Sequence, residues 1–305
     1  MRVAVFGTSD VTAVCDIIRA SGDSIAAMVY PENRKNSGKV GRFRTSAERC
    51  GRVPLMHPVR KNDREFLRRL AACRADIGIV WSYSQIFEPA TIRLFPQGMI
   101  NYHGALLPDY RGGNVLNWVL VNGETRTGVT FHFIDAGIDT GDIVAQREVP
   151  IAPADDARSL ALKLERTAVS LFASVWPQIR SGAALRLPQP PGGRYFCRRT
   201  REDGRIDWQR PARDIHNLVR ALVHPFPGAY FTAGEAEFVV RRSRVEANAI
   251  LSGAAAGEIV TVDSGTRSLL VQTGDGLIAL MDIEMKGSPV DTEDFRRFQT
   301  GIVLQ

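Results

Sequence analysis

The sequence predicts an α/β fold in which a mostly parallel sheet is followed by a small β-barrel or open sheet. Three observations lead to this prediction. The first 180 residues alternate short β-rich runs with amphipathic stretches, a pattern typical of a parallel sheet covered by helices. A Pro/Gly-rich segment, residues 187–193, then separates this part from the rest. Beyond it, short strand candidates punctuated by Gly and Asp indicate a compact β structure.

Short apolar, β-rich runs predict the strands of the N-terminal part, over residues 2–6, 24–30, 76–81, 98–102, 128–133 and 143–149. Apolar residues at helical spacing predict helices between and after these runs, over residues 11–20, 43–50, 63–73 and 157–180. The last helix has Asp155 and Asp156 near its start and Ser181 and Gly182 at its end, which are residues typical of helix termini.

The C-terminal part has one predicted helix, over residues 212–222, followed by strand candidates over residues 237–242, 257–262, 268–272 and 277–281. Several short strands separated by turns are typical of a small barrel or an open sheet. We therefore expect a first domain at residues 1–183, a linker at 184–200 and a small β domain at 201–305.

The charge of the chain is distributed unevenly. The formal net charge is +6 and the pI is about 9.4. From residue 201 onward there are 12 Lys and Arg against 15 Asp and Glu, so the positive excess lies in the first 200 residues. A basic first domain suggests an anionic partner. The acidic balance of the second domain argues against binding of nucleic acid there.

Several classes of protein are disfavoured because their sequence patterns are missing. No run of 18 apolar residues exists, and the short N-terminal apolar run lacks a signal-peptide cleavage site, so we expect neither a membrane span nor secretion. The turn at residues 7–10 is not GxGxxG, and neither a Walker A sequence nor an HExxH motif or Cys/His cluster occurs. We therefore expect no bound metal. The chain has four widely separated cysteines, Cys15, Cys50, Cys73 and Cys197. Cysteines without metal or redox spacing favour a reducing compartment, so we expect the protein in the cytoplasm.

Residues capable of catalysis are concentrated between positions 100 and 142. Asn101 and His103 are two apart at the end of a predicted strand, so their side chains point the same way, into the crevice where α/β sheets bind ligands. Asp139 lies in a loop between Gly137 and Gly141. Such a set suits acyl transfer to an amine: Asn101 and a protonated His103 would donate to the oxyanion. Asp139 would favour the charged imidazole and accept the amine proton.

Each of these features also has a purely structural interpretation. An Asn and a His near a strand end are common turn or capping residues, and a Gly-Asp-Gly loop is a common turn. His132 fits a core histidine. Three tryptophans fit core positions: Trp81, Trp118 and Trp176. The basic stretch at residues 34–44 fits a solvated loop. From the residues alone, acyl transfer remains one hypothesis among several.

Residues 101–142 resemble the signature of the folate-dependent formyltransferase family, through N-x-H, LLPDYRGG, NWVLVNGETRTGVT and DAGIDTGD. The resemblance implies that Asn101 is an oxyanion donor, that His103 is the catalytic histidine and that Asp139 is its acidic partner. It implies 10-formyltetrahydrofolate as the co-substrate. It also implies two folate-binding segments, one made of Gln85, Ile86 and Phe87, and one made of Asp135, Ala136, Gly137, Ile138 and Asp139.

The resemblance continues beyond the Pro/Gly segment and is most specific for the sugar N-formyltransferases. Stretches such as YFCRRT, DGRIDW, IHNLVRA and HPFPGA are similar to the C-terminal, OB-like domain of the family. The resemblance therefore implies a Rossmann-like, mostly parallel sheet in the first domain and a small OB-like β-barrel in the second. One departure concerns Gly113. In the enzymes that act on UDP-4-amino-4-deoxy-arabinose, an arginine associated with the substrate occupies this position, and Ala-Pro follows where this chain has Asn114 and Val115. The acceptor can therefore differ from that sugar.

The acceptor amine is left open by the sequence. The leading hypothesis is a nucleotide-linked amino sugar destined for a surface polysaccharide or lipid, with Tyr110 and Arg111 lining the acceptor side; alternatively, Arg111 packs its own loop. Initiator-tRNA formylation is a second hypothesis, supported by five basic residues, Arg34, Lys35, Lys39, Arg42 and Arg44. An ornithine-like amine, water in a folate hydrolase, and a non-catalytic binding module are the others. A homo-oligomer is compatible with all of them.

Overall fold

The computed structural model describes residues 1–34, 38–58, 63–246, 253–285 and 287–305. These residues form two compact units, each assembled from separate stretches of chain. Unit 1 contains Met1–Gly112, Arg126–Pro150 and Lys163–Tyr195, and unit 2 contains Gly113–Thr125, Ile151–Leu162 and Phe196–Gln305. The sequence-based domain boundaries, 1–183 and 201–305, stay a prediction.

Unit 1 is built on a sheet whose strand order, among the described residues, is β3-β2-β1-β4-β5-β7-β8. The strands of this part of the chain are β1 (Arg2–Gly7), β2 (Ser24–Val29), β3 (Leu55–Met56), β4 (Ile77–Trp81), β5 (Met99–His103), β6 (Arg111–Gly112), β7 (Arg126–Phe133) and β8 (Ile143–Pro150). The first five strands of the sheet pair in parallel, whereas β7 pairs antiparallel with both of its neighbours, β5 and β8. The predicted, mostly parallel sheet is thereby confirmed.

The helices of the chain are α1 (Thr12–Ala20), α2 (Gly38–Arg49), α3 (Arg64–Ala72), α4 (Pro89–Ile92), α5 (Val115–Val121), α6 (Ala157–Arg180), α7 (Ala212–Ala221) and α8 (Thr292–Phe295). Helix α6 has the predicted bounds. The prediction of a solvated loop over residues 34–44 is wrong from Gly38 onward, where helix α2 begins. Helix α2 starts five residues earlier than the prediction because it buries Val40 and Phe43 on one face.

Aromatic side chains fill much of the core of unit 1. Trp81 and Trp176 are 0% exposed, as predicted for core residues, and Phe172 of α6 packs between them, with ring centroids 6.1 and 5.3 Å away. Tyr102 of β5 lies against Trp81, with ring centroids 4.5 Å apart. Burying an apolar side chain of this size stabilises the fold by roughly 1.5–3 kcal/mol. These contacts hold β4 and β5 in place, and β5 carries two of the candidate site residues.

Unit 2 contains an antiparallel sheet with the strand order β10-β11-β14-β13-β12 among the described residues. The strands from residue 195 onward are β9 (Tyr195–Phe196), β10 (Ala229–Ala233), β11 (Ala236–Val245), β12 (Ile259–Asp263), β13 (Ser268–Gln272), β14 (Leu277–Met285) and β15 (Ser288–Pro289). A separate antiparallel β unit is therefore confirmed. No helix in the part of the chain that the structure describes is long and apolar enough to cross a membrane.

Candidate active site

Two adjacent strands place three polar side chains on one face of the sheet of unit 1. Asn101 and His103 are two residues apart on β5, so they point the same way. Strand β7 runs antiparallel to β5, and His132 is the direct partner of Asn101 in the register. Residues paired in this way have neighbouring side chains on the same face. The group is Asn101, His103 and His132.

The turn that carries Asp139 folds back onto this group. Asp139 adopts a positive φ of 54°, which Asp tolerates better than most residues. The chain comes so close to itself here that a side chain at Gly141 would collide with the carbonyl oxygen of Phe133. The Asp139 carboxylate is fixed by the Gly112 N–H, which donates to Oδ2 at 2.9 Å. Oδ2 also lies 3.6 Å from His103 Nδ1, and Oδ1 lies 3.5 Å from His132 Nε2. The structure thus brings Asn101, His103 and Asp139 together.

The hydrogen bond of His103 determines which ring nitrogen is basic. Nε2 lies 2.8 Å from the carbonyl oxygen of Tyr110, and because a carbonyl can only accept, Nε2 carries the proton. Nδ1 then faces the Asp139 carboxylate. Burial lowers the pKa of His103 below its usual 6.5, although the Asp139 charge acts in the opposite direction. The imidazole is therefore neutral at pH 7, in contrast to the protonated His103 expected from the sequence, and Nδ1 can accept a proton.

Asp139 is a carboxylate at any physiological pH. Burial by itself raises its pKa, but the neighbouring imidazoles of His132 and His103 and the Gly112 N–H outweigh this effect and lower the pKa to about 2. A permanent negative charge beside Nδ1 favours the imidazolium that forms when His103 takes up a proton. Asp139 is thus suited to stabilise His103 during the reaction.

His132 orients Asn101, a relation that the sequence did not reveal. Its Nδ1 lies 2.8 Å from the carbonyl oxygen of Phe133 and so donates to it, which leaves Nε2 as the acceptor. Nε2 lies 3.1 Å from Asn101 Nδ2. One amide hydrogen of Asn101 is therefore held by His132, and the other remains for an oxyanion. The sequence interpretation of His132 as a core histidine agrees with its 2% exposure but misses this contact.

Asn101→Ala is expected to lower kcat by about 10²–10³-fold, because the variant loses the amide donor to the oxyanion. KM should change little, since the donor acts mainly in the transition state. Steady-state kinetics over a range of acceptor concentrations separate the two constants. A variant that changed only KM would exclude the oxyanion role.

The predicted folate segments lie on the surface of unit 1. Phe87 packs against Phe6 and Tyr83, each with ring centroids 5.1 Å away, and so fixes the Gln85–Phe87 segment. Ile86 of this segment is 51% exposed, and Ile138 of the Asp139 turn is 39% exposed. Asp135 accepts hydrogen bonds from the Gly137 N–H and Thr140 and shapes the turn; Ala136 is exposed. Exposed apolar groups on ordered loops suit a flat, partly apolar ring, and their folate contacts stay a prediction.

Tyr110 and Arg111, the predicted acceptor residues, both make contacts within unit 1. The Tyr110 side chain is only 5% exposed, and its carbonyl binds His103. Arg111 donates from Nε and Nη2 to Gln189 Oε1, at 3.1 and 2.6 Å. Arg111 thus packs against the segment that carries Gln189, a contact outside its own loop. A role of either residue toward the acceptor stays a prediction.

Gly113, the position where the resemblance breaks down, lies in unit 2. A Cβ atom there would lie 2.6 Å from Arg198 Cγ, so a side chain at this position fits only if the Arg198 side chain shifts. Asn114 adopts a positive φ of 56° and its Oδ1 accepts the backbone N–H of Arg199 at 3.1 Å. Gly113 and Asn114, the residues that differ from the family pattern, therefore both contact the segment formed by Arg198 and Arg199.

The chain matches the formyl transferase family over residues 1–176, and the C-terminal domain of formyl transferases over residues 198–299. The first match alone covers more than half of the chain. The protein therefore belongs to the formyl transferase family. The expected family, the folate-dependent formyltransferases, and the expected enzyme class are thereby confirmed.

Solved structures share this fold at low sequence identity. WlaRD, a sugar 3N-formyl transferase crystallised in the presence of dTDP and 5-N-formyl-THF, is 19% identical; the match covers 94% of this chain and 98% of WlaRD, with a TM-score of 0.67. An N-formyltransferase from Helicobacter canadensis, solved with folinic acid and dTDP-3-aminofucose, is 18% identical over 92% and 98% of the two chains, with a TM-score of 0.67. HypX from Aquifex aeolicus, solved with tetrahydrofolic acid, is 18% identical with a TM-score of 0.63; the match covers 94% of this chain but only 44% of HypX.

Proposed function

We propose that the protein transfers a formyl group from 10-formyltetrahydrofolate to the amine of a nucleotide-linked amino sugar. The observation that carries the chemical part is the arrangement of Asn101, His103 and Asp139: an amide donor, a neutral imidazole and a carboxylate meet at the end of β5. These are an oxyanion donor, a proton acceptor and a group that stabilises the protonated acceptor.

The first half of the reaction forms the new bond between the amine nitrogen and the formyl carbon. As this bond forms, the formyl oxygen becomes an oxyanion, to which the second amide hydrogen of Asn101 donates. The attacking amine becomes acidic, and its proton passes to Nδ1 of His103, directly or through a water molecule. Asp139, 3.6 Å from Nδ1, stabilises the resulting imidazolium.

In the second half, the bond between the formyl carbon and N10 of the folate breaks. The electron pair of this bond stays on N10, which takes the proton from the His103 imidazolium. The products are the formamide and tetrahydrofolate, and His103 returns to its neutral form. One proton is thus moved from the amine to N10, and the Asp139 carboxylate stays charged throughout, in line with its pKa of about 2.

The proposed sugar acceptor is supported by two observations. WlaRD and the Helicobacter canadensis enzyme share the fold over nearly their whole length, and their structures contain dTDP or a dTDP-linked amino sugar. The C-terminal part of this chain is acidic, which disfavours the tRNA hypothesis. Of the basic residues invoked for tRNA, Arg42 and Arg44 are exposed on α2, whereas Lys35 lies outside the described residues.

An acceptor screen with 10-formyltetrahydrofolate tests this proposal by following the release of tetrahydrofolate. The acceptors are UDP-, GDP- and dTDP-linked amino sugars, charged initiator tRNA, hydroxyornithine and buffer alone. Each sugar nucleotide is paired with the same nucleotide sugar carrying a hydroxyl in place of the amine. We expect turnover with an amino sugar nucleotide and none with its hydroxyl counterpart.

The other outcomes of the screen are equally decisive. Turnover of tRNA or hydroxyornithine, with no turnover of any amino sugar nucleotide, would support formyl transfer and exclude the proposed acceptor. Equal turnover in buffer alone would indicate a folate hydrolase. Folate binding without turnover of any acceptor would contradict catalysis and favour a binding module.

A further inference from the structure

Gln189 lies in the Pro/Gly-rich segment between α6 and β9, and its side chain behaves unlike those of its neighbours. Leu187 is 52% exposed, and Pro188 and Pro190 are also exposed. Gln189 is only partly exposed, so the polar side chain of this stretch turns inward while the apolar ones face the solvent. Since apolar residues are normally the buried ones, hydrogen bonds must account for the position of Gln189.

The amide group of Gln189 uses both its nitrogen and its oxygen in contacts near the candidate site. Nε2 donates to the carbonyl oxygens of Asp139 and Gly141, each at 2.8 Å. Oε1 accepts from Nε and Nη2 of Arg111, at 3.1 and 2.6 Å. One side chain thus connects the turn that carries Asp139 with the residue next to Gly112, whose N–H binds the Asp139 carboxylate.

We infer that Gln189 is a positioning residue for formyl transfer: its amide holds the Asp139 turn against Arg111, so that the Asp139 carboxylate stays opposite His103 Nδ1. Gln189 acts through Asp139 and needs no contact with substrate. The inference rests on the proposed roles of Asp139 and His103 in the reaction. Misplacement of a catalytic group by about 1 Å can cost up to about 10²-fold in rate.

The segment that carries Gln189 is anchored on both sides, which a positioning role requires. Leu187 exchanges two backbone hydrogen bonds with Ile143 of β8, at 2.8 and 3.0 Å. On the other side, the Arg194 N–H donates to Asp109 and the Arg194 carbonyl accepts the N–H of Arg111. Prolines at 188 and 190 fix their own φ angles and favour an extended Gln189.

The charge environment of His103 reports where Asp139 lies. Among the described residues, the groups that face the His103 imidazole are the Asp139 carboxylate, the His132 ring and the carbonyl of Tyr110. Of these, only Asp139 carries a permanent charge that favours the imidazolium. If the Asp139 turn moves away, this support weakens and the pKa of His103 falls further below its usual value.

Two variants of Gln189 and one matched control separate positioning from general stability. Gln189→Met keeps the length of the side chain and removes every hydrogen bond that the Gln189 amide makes to Arg111 and to the Asp139 turn. Gln189→Glu keeps an oxygen for Arg111 and removes the donors to the Asp139 turn. The control is Gln272→Met in unit 2, because the Gln272 amide likewise donates to two backbone carbonyls, those of Thr273 and Gly276.

NMR titration of histidine-labelled protein measures the pKa of His103 without any acceptor, so its result does not depend on the proposed substrate. We expect both Gln189 variants to lose about 10- to 100-fold in kcat with little change in KM. In Gln189→Met, which adds no charge, the pKa of His103 should also fall below that of wild type. Gln272→Met should leave the His103 titration unchanged. An unchanged His103 pKa in Gln189→Met would overturn the positioning role, as would an equal shift in Gln272→Met.

Discussion

His103→Gln is expected to lower the rate of formyl transfer by about 10²–10⁴-fold, the range associated with the loss of a general acid–base group. Glutamine can still donate to the Tyr110 carbonyl, as His103 Nε2 does. It cannot accept the proton of the attacking amine, and it has none to return to N10 of the folate. The measurement is single-turnover transfer from 10-formyltetrahydrofolate, together with the Kd of the folate, which should stay close to wild type.

The matched control for this substitution is His216→Gln. His216 is a half-buried histidine of α7 in unit 2, with Nδ1 3.0 Å from Ser243 Oγ, and burial lowers its pKa as it does for His103. A histidine of similar environment but outside the candidate site should be dispensable for single-turnover transfer. If His103→Gln kept more than about a tenth of wild-type activity, His103 could not be the group that carries the proton.

Elements with strong local patterns were predicted well from the sequence. Helix α6 has its predicted bounds because its apolar residues recur with helical spacing and its ends have typical terminal residues. Strand β10, Ala229–Ala233, was missed because its sequence does not alternate clearly in polarity. Helix α5 was also missed, since its nearly apolar sequence lacks the alternation that distinguishes a helix face.

The catalytic candidates could be named from the sequence, but their relations could not. Asn101 and His103 are close in sequence, so the two-residue period of a strand already places them together. His132 lies 31 residues after Asn101, and only the antiparallel register of β5 and β7 shows that the two side chains meet. Gln189 lies 50 residues after Asp139, in a segment whose composition indicates no more than a linker.

The protonation state of His103 could also not be predicted from the sequence. A carboxylate partner predicts a raised histidine pKa, and this led to the expectation of a charged imidazole. The structure buries His103 almost completely, and the cost of burying a charge exceeds the attraction to Asp139. Burial depends on the whole fold, so the balance between the two effects can be judged only when both are known.

Asp139→Asn is expected to lower kcat by about 10²–10⁴-fold, the range of a general acid–base contribution, because proton transfer through His103 depends on this charge. Asparagine tolerates the positive φ of this position, and its amide oxygen can still accept the Gly112 N–H, so the turn should persist. What the variant loses is the negative charge 3.6 Å from His103 Nδ1. The imidazolium formed during proton transfer then lacks its stabilising partner.

The same substitution changes the pH behaviour of His103 in a defined direction. The Asp139 charge raises the pKa of His103 against the larger effect of burial, so its removal must lower that pKa further below 6.5. NMR titration of histidine-labelled Asp139→Asn measures this shift. The control is Glu148→Gln, because Glu148 lies on the exposed part of β8 and pairs with Arg126 of β7. An unchanged or raised His103 pKa would show that Asp139 does not act on Nδ1. A lowered His103 pKa together with a normal kcat would show that stabilisation of the imidazolium does not limit the rate. Each of these two outcomes would require a different role for Asp139.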